Sequence, residues 1–271
     1  TGSGKGKPVK NAALPIVAVM TTAGTGTEAD PWMVITDREL QEKIGFGVPS
    51  TFPCLSIVDP ELTLSVPPFL TAIQGFDAFF HAAEGFIAEI ATPISEAFSL
   101  QVIRLIFKNL PKAVRDGSDI EARTNIALAG LLSGMVQSTS SCTSEHSMEH
   151  AMTAFHPELP HGAGLLMISE AYFSFFAKYV PDRFIKMAHM MGEVTDGLPE
   201  EEKPYTFVHA LQKLKKECGV DNLKMSDYGI RADEMEKLAR NAHKTMSNLF
   251  AMDRYTLSLK ENVEIFKAAY R

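Results

Sequence analysis

Two successive prolines, Pro67 and Pro68, divide the chain into parts of different character. Proline has no N–H and fixes φ near ~−65°, so the pair ends whatever precedes it and seats a helix start just after it. Before it, Leu14–Met20 (LPIVAVM) is a short Val/Ile-rich run that predicts a buried strand, and Trp32–Thr36 and Leu55–Val58 predict two more. Lys43–Gly47 reads as a glycine-containing link, and the Gly/Lys-rich residues 1–11 as a mobile loop. After the prolines strand signals nearly vanish. Helical spacing covers Leu70–Ala91, Pro93–Asp116, Ser118–Ser138, 143–154, Gly162–Lys178, Pro181–Met191, Glu200–Cys218, Ala232–Ser247 and Leu257–Tyr270. Ser118 with Glu121 three residues on has capping-box spacing. The expected border between a first unit, 1–67, and a helical unit, 68–271, lies at the two prolines.

Polar residues interrupt this apolar frame in two places. Gly75–Glu84 (GFDAFFHAAE) puts Asp77 and His81 four residues apart, on one face of a helix whose other residues are Phe and Ala. Burying a carboxylate there is costly unless it is paired or coordinated. Farther on, His146–His161 (HSMEHAMTAFHPELPH) holds four of the chain's eight histidines. His146 and His150 are again one helical turn apart. His161 follows the stiff Pro157–Pro160 turn and precedes a helix. His156, inside the turn, is the bystander. One carboxylate and three imidazoles suit Fe²⁺ or Zn²⁺, and open positions would make such a site catalytic. The plainer alternatives are a surface Asp–His pair at a helix edge and a solvated histidine-rich loop. A third stretch, Thr21–Glu28 (TTAGTGTE), follows the first strand; its small residues suit a turn whose amides face an anion, or simply a flexible strand exit.

Composition narrows the functional classes. A net charge of −7 with no basic stripe argues against nucleic acid or an anionic membrane as partner. Apolar runs break well before the ~18 residues of a membrane span, and no signal peptide is evident. Cys54, Cys142 and Cys218 have no CxxC spacing, which suits reduced thiols in a cytoplasmic protein. The opening TGSGKGKPVK, without an initiator Met, reads as the interior of a longer protein.

With these motifs in hand, the chain resembles the iron-containing (group III) alcohol dehydrogenase family of the dehydroquinate-synthase-like fold. TTAGTGTE resembles that family's TTAGTGSE turn. DPELTLSVPPFLTAIQGFDAFFHAAE resembles its central block, and HSMEH with the later PHG resembles its histidine block. The resemblance spans essentially the whole chain. It implies a mainly α fold, with the all-helical C-terminal metal-binding domain preceded by a short remnant of an α/β dinucleotide-binding domain. Asp77, His81, His146 and His161 match the metal ligands, and His150 matches an active-site histidine off the metal, a proton relay. Thr21, Thr22, Gly24 and Thr25 match cofactor-contacting positions of the turn, as do Lys43, Leu62 and Thr63. The implied activity is hydride transfer between NAD or NADP and an alcohol or aldehyde at Fe²⁺ or Zn²⁺, in a homo-oligomer. Family members also carry a GGGS phosphate turn, which this sequence lacks. The expectation is therefore metal binding with weak nicotinamide affinity, which a micromolar NAD(P)H titration would refute. The alternatives are a metal-dependent hydrolase or lyase using the same site, and a non-catalytic helical interaction module.

Overall fold

In a computed structural model, residues 8–11 and 13–271 are described; the expected loop over 1–11 lies largely outside them. The protein is mainly α. Two small sheets precede the helices. Strands β1 (Val17–Val19) and β4 (Leu55–Ile57) pair in parallel, with Ala18 opposite Ser56. Strands β2 (Met33–Asp37) and β3 (Glu42–Phe46) form an antiparallel hairpin with Ile35 opposite Ile44.

Two expectations are corrected here. The first strand is not buried: Val17 and Val19 are half exposed, as are Leu55 and Ile57. Parallel pairs normally have both faces covered, and among the described residues little covers this one. The expected link at Lys43–Gly47 is instead strand β3. Gly45, Gly47 and the charged Glu42–Lys43 pair hide its pattern, and pairing with β2 supplies the ladder that local propensity does not.

Helix α1 (Pro68–Ile87) starts at the second proline, and almost every residue from Thr71 to Ile87 is buried. It is the central rod. Phe79 stacks on Phe207, and Phe80 on Phe173. Around it lie α2 (Pro93–Arg115), α3 (Ile120–Thr139), α5 (His161–Ala177), α6 (Pro181–Met190) and α7 (Thr206–Glu217). Helix α4 (Ser144–Phe155) packs on α5 and on α8 (Met235–Thr245), which leads into the single turn α9 (Ser247–Phe250). Helix α10 (Leu259–Ala269) closes the bundle against α5 and α8. The cap of α3 is Asp119, whose carboxylate accepts from the Ala122 N–H at 2.9 Å. Ser118, the expected cap, instead donates its hydroxyl to Asp116 at 2.6 Å. No described helix is long and apolar enough to cross a membrane.

Helix α3 also seats the Thr21–Glu28 turn. Ser133 and Gln137 donate to the carbonyls of Gly24 and Thr25, at 3.4 and 2.9 Å. Gly26 has φ +70°, and a Cβ on Gly134 would lie 2.0 Å from the Gly26 oxygen. The turn therefore rests backbone to backbone on α3. Gly134→Ala is expected to lift it, lowering stability by about 1–3 kcal/mol as overpacked contacts do. Thermal melting, with faster amide exchange over residues 24–29, checks this.

Candidate metal centre

Helix α1 presents Asp77 and His81 one turn apart, α4 presents His146 and His150, and α5 begins at His161. Because α1 is buried all round, Asp77 and His81 are too, so neither is a surface pair at a helix edge. Asp77 Oδ1 lies 3.5 Å from His81 Nε2, 3.6 Å from His146 Nε2 and 3.5 Å from His161 Nε2. Four donors at ~2.1 Å around a tetrahedral ion stand ~3.4 Å apart. The three distances from Asp77 Oδ1 are therefore those of donors gathered around one cation.

Hydrogen bonding points the same way. His146 Nδ1 is bonded to Glu84 Oε1, and His161 Nδ1 to Glu149 Oε2. Each carboxylate fixes its ring and turns Nε2 inward, as outer-shell carboxylates do at metal sites. Asp77 Oδ1 and His146 Nε2 are both buried without a hydrogen-bond partner. With Nδ1–H given to Glu84, a bare Nε2 lone pair would face a carboxylate oxygen, which demands positive charge between them. The residues present fit a divalent ion.

Charge states agree. Burial alone would raise Asp77, but the three imidazoles outweigh it and hold the carboxyl well below the usual range. Burial would lower His146; Cys142, Glu84 and Asp77 instead hold it well above 6.5, so its pocket favours a cation. Burial brings His81 down to about 4, leaving a neutral donor. Glu149, though buried, is drawn down to about 2 by His161 and Lys43. His150 is held well below 6.5 by burial and by Lys43.

The donor cluster opens into a cavity of about 330 Å³, walled also by His150, Thr25, Trp32, Cys142, Met246 and Leu249. The imidazoles at Asp77 Oδ1 are those of His81, His146 and His161; His150 lies beside them, its ring 5.5 Å from His161 and its Nδ1 unpartnered. His156 is outside the cavity, with Nε2 3.3 Å from Glu234.

The seven positions expected to meet the cofactor are not gathered in one place. Thr25 lines the cavity. Thr21 and Thr22 precede it in the turn, and a Cβ on Gly24 would lie 2.7 Å from the Gln74 carbonyl oxygen. Lys43 reaches the outer carboxylate, donating to Glu149 at 3.2 Å and Thr153 at 2.8 Å, with His161 Nδ1 at 3.3 Å. Leu62 and Thr63 lie in the helical turn Pro60–Thr63; Thr63 shares a small separate pocket with Ala23, Gln74 and Arg123. Glu84 and Glu149 were not expected at all. Their only sequence signal is helical spacing: each lies three residues after a candidate donor, His81 or His146.

Asp30, on the cavity wall, is 1% exposed; its carboxylate accepts from the Trp32 N–H at 2.8 Å and from Gln137 at 3.2 Å. Burial, with Glu28 and Asp77 adding repulsion, pushes it up from 3.8 to about 7. An acid raised in the folded state stabilises fully below its unfolded pKa, and that stability is lost as pH rises through about 7. In metal-free protein, Asp30→Asn should therefore be the more stable form at pH 8, by at most ~4 kcal/mol. The advantage should vanish near pH 4. Denaturant unfolding across that range checks it.

Comparison with known proteins follows the same lines. Residues 71–270 match the model of the Fe-containing alcohol dehydrogenase family, C-terminal part, and residues 2–60 match that of iron-containing alcohol dehydrogenase. The chain belongs to the iron-containing alcohol dehydrogenase family. It is similar to 1,3-propanediol dehydrogenase of Citrobacter freundii, 36% identical over 262 residues, covering 96% of this chain and 66% of that protein. NAD-dependent methanol dehydrogenase of Bacillus methanolicus is 35% identical over 236 residues, covering 86% of this chain and 61% of that one. Among solved structures, alcohol dehydrogenase from Oenococcus oeni superposes with a TM-score of 0.90 at 32% identity, covering 97% of this chain and 67% of that one. The chain thus spans about two thirds or less of the curated relatives it matches. For a member of the iron-containing alcohol dehydrogenase family, a metal and a nicotinamide nucleotide are the implied cofactors. Nothing in these relatives favours a hydrolase or lyase.

Proposed function

We propose that the protein is a metal-dependent alcohol dehydrogenase and aldehyde reductase. The observation that carries this is the set of three imidazole nitrogens at 3.5–3.6 Å from one buried carboxylate oxygen, facing a cavity. Asp77, His81, His146 and His161 would hold the ion, iron by family and zinc by the same donor chemistry. When bound, that ion supplies Lewis acidity that lowers the pKa of an alcohol oxygen, and the nicotinamide supplies the hydride acceptor.

The chain's own residues do the rest. Glu84 and Glu149 keep two donor rings oriented, and Lys43 ties Glu149 to the β2–β3 hairpin. Trp32, Met246 and Leu249 give the cavity apolar walls that exclude water. His150, neutral and with an unpartnered Nδ1, accepts the alcohol proton and passes it on toward solvent. The small cavity suits short alcohols and aldehydes. Thr21, Thr22, Gly24 and Thr25 supply the rim on which a nicotinamide nucleotide would lie, and the NAD-dependent relative favours NAD.

Elemental analysis of anaerobically purified protein, followed by aldehyde-dependent loss of reduced-nicotinamide absorbance, tests this. Stoichiometric iron or zinc, lost in both Asp77→Ala and His161→Ala together with hydride transfer, is the expected result. Metal-free wild-type protein, or water-dependent bond cleavage in place of hydride transfer, overturns it.

A further inference from the structure

Cys142 has no role in the chemistry above, yet it stands inside the centre. It lies in the segment between α3 and α4 and lines the same cavity as the candidate donors. One donor atom each of His81, Cys142 and His146 lies within 4.8 Å of the other two. Both histidines are at least nine-tenths buried. His146 Nδ1 is taken by Glu84, and its Nε2 has no hydrogen-bond partner. The thiol therefore lies within 4.8 Å of a ring nitrogen of His146, whose Nε2 is open.

A second group, Asp77 with His146 and His161, meets the same criterion. His146 belongs to both and has a single free ring nitrogen. The two groups must therefore serve one ion, not two. They differ in hardness: one contributes a carboxylate oxygen, the other a sulfur. Neither remaining cysteine offers an alternative, since Cys54 is exposed on the surface, Cys218 is buried elsewhere, and neither lines the cavity.

We propose that Cys142 is an additional donor to this metal centre, drawing thiophilic divalent ions such as Zn²⁺ toward the sulfur, while Fe²⁺ stays with Asp77 and the imidazoles. The assignment rests on the metal-centre reading of the preceding subsection. Soft sulfur ligands select zinc over iron, whereas a carboxylate does not discriminate in that direction. On binding, the S–H bond is replaced by a metal–sulfur bond and the proton leaves to solvent. No oxidation state changes.

Cobalt(II) is the probe. Its visible ligand-field bands report occupancy whatever the donors, while a near-ultraviolet charge-transfer band reports a coordinated thiolate. Cobalt-loaded wild-type protein should show both. Cys142→Ser and Cys142→Ala should keep the visible bands and lose the ultraviolet one, and Cys54→Ser should keep both. In competition, Cys142→Ser should lower the Zn²⁺/Fe²⁺ affinity ratio by about 10-fold or more, on the scale of metal-site perturbations. Visible bands with no charge-transfer band in wild type, or a band that survives in Cys142→Ser, overturns the sulfur assignment and leaves the metal centre standing. Failure of wild type to bind cobalt at all overturns both.

Discussion

His146→Ala is expected to leave the purified protein without stoichiometric metal, without hydride transfer above background, and with a lower melting temperature. The three losses share one cause. His146 is the ring on which two shells meet: Nε2 faces Asp77 Oδ1 at 3.6 Å, and Nδ1 bonds Glu84. Its plane also stacks on His81 at 4.6 Å between centroids. Truncation removes a donor, frees His81 to turn, and strips a buried carboxylate of its strongest partner. Breaking a buried charged pair from one side costs about 3–5 kcal/mol. Glu84 keeps three bonds, from the Thr143 N–H at 2.8 Å, the Thr143 hydroxyl at 3.0 Å and the backbone N–H of residue 146 at 3.3 Å, which puts the cost toward the lower end. Losing the Lewis acid removes several kcal/mol of transition-state stabilisation, on the order of 10³-fold or more in rate. Metal analysis, a nicotinamide absorbance assay and a thermal melt read the three effects separately. Full metal content in this variant would show that His146 is not a donor.

How much of this centre was legible beforehand follows from where each partner lies in the chain. Asp77 with His81, and His146 with His150, were visible because the i, i+4 repeat of a helix is written directly into sequence. His161 was visible through its stiff proline approach. Glu84 and Glu149 were not, although they lie within 75–84 and 146–161. A glutamate on a helix has no local mark that separates a solvated charge from one with no exposure. That distinction arises only when α4 and α5 close on α1, bringing Glu84 to a ring 62 positions later. Lys43 shows the same limit. The resemblance gives it a cofactor contact, and nothing local announces that its ammonium reaches Glu149 across 106 positions. The helices were read closely because long apolar periodicity decides them. The strands were read less well: Leu14–Met20 looks like a buried strand but is half bare, and β3 has glycines and charges where a strand signal should be.

His150→Ala separates the two functions that the histidine cluster combines. The variant is expected to keep its full metal complement and lose about 10²–10⁴-fold in turnover, the usual worth of a positioned acid–base group. Metal is retained because the atoms around Asp77 Oδ1 come from His81, His146 and His161, and the outer carboxylates bond His146 and His161 rather than His150. Turnover falls because His150 lines the cavity with an unpartnered Nδ1 and is not among the rings set around Asp77 Oδ1. Burial and the nearby Lys43 ammonium hold its pKa well below 6.5, so it is neutral at pH 7, with one ring nitrogen free of a proton. Truncation also leaves room beside His161, whose ring lies 5.5 Å away. Added imidazole should therefore restore part of the rate in His150→Ala and none in His146→Ala. A merely structural His150 would show neither rescue nor a changed pH–rate profile, and a metal-free His150→Ala protein would move this residue into the donor set.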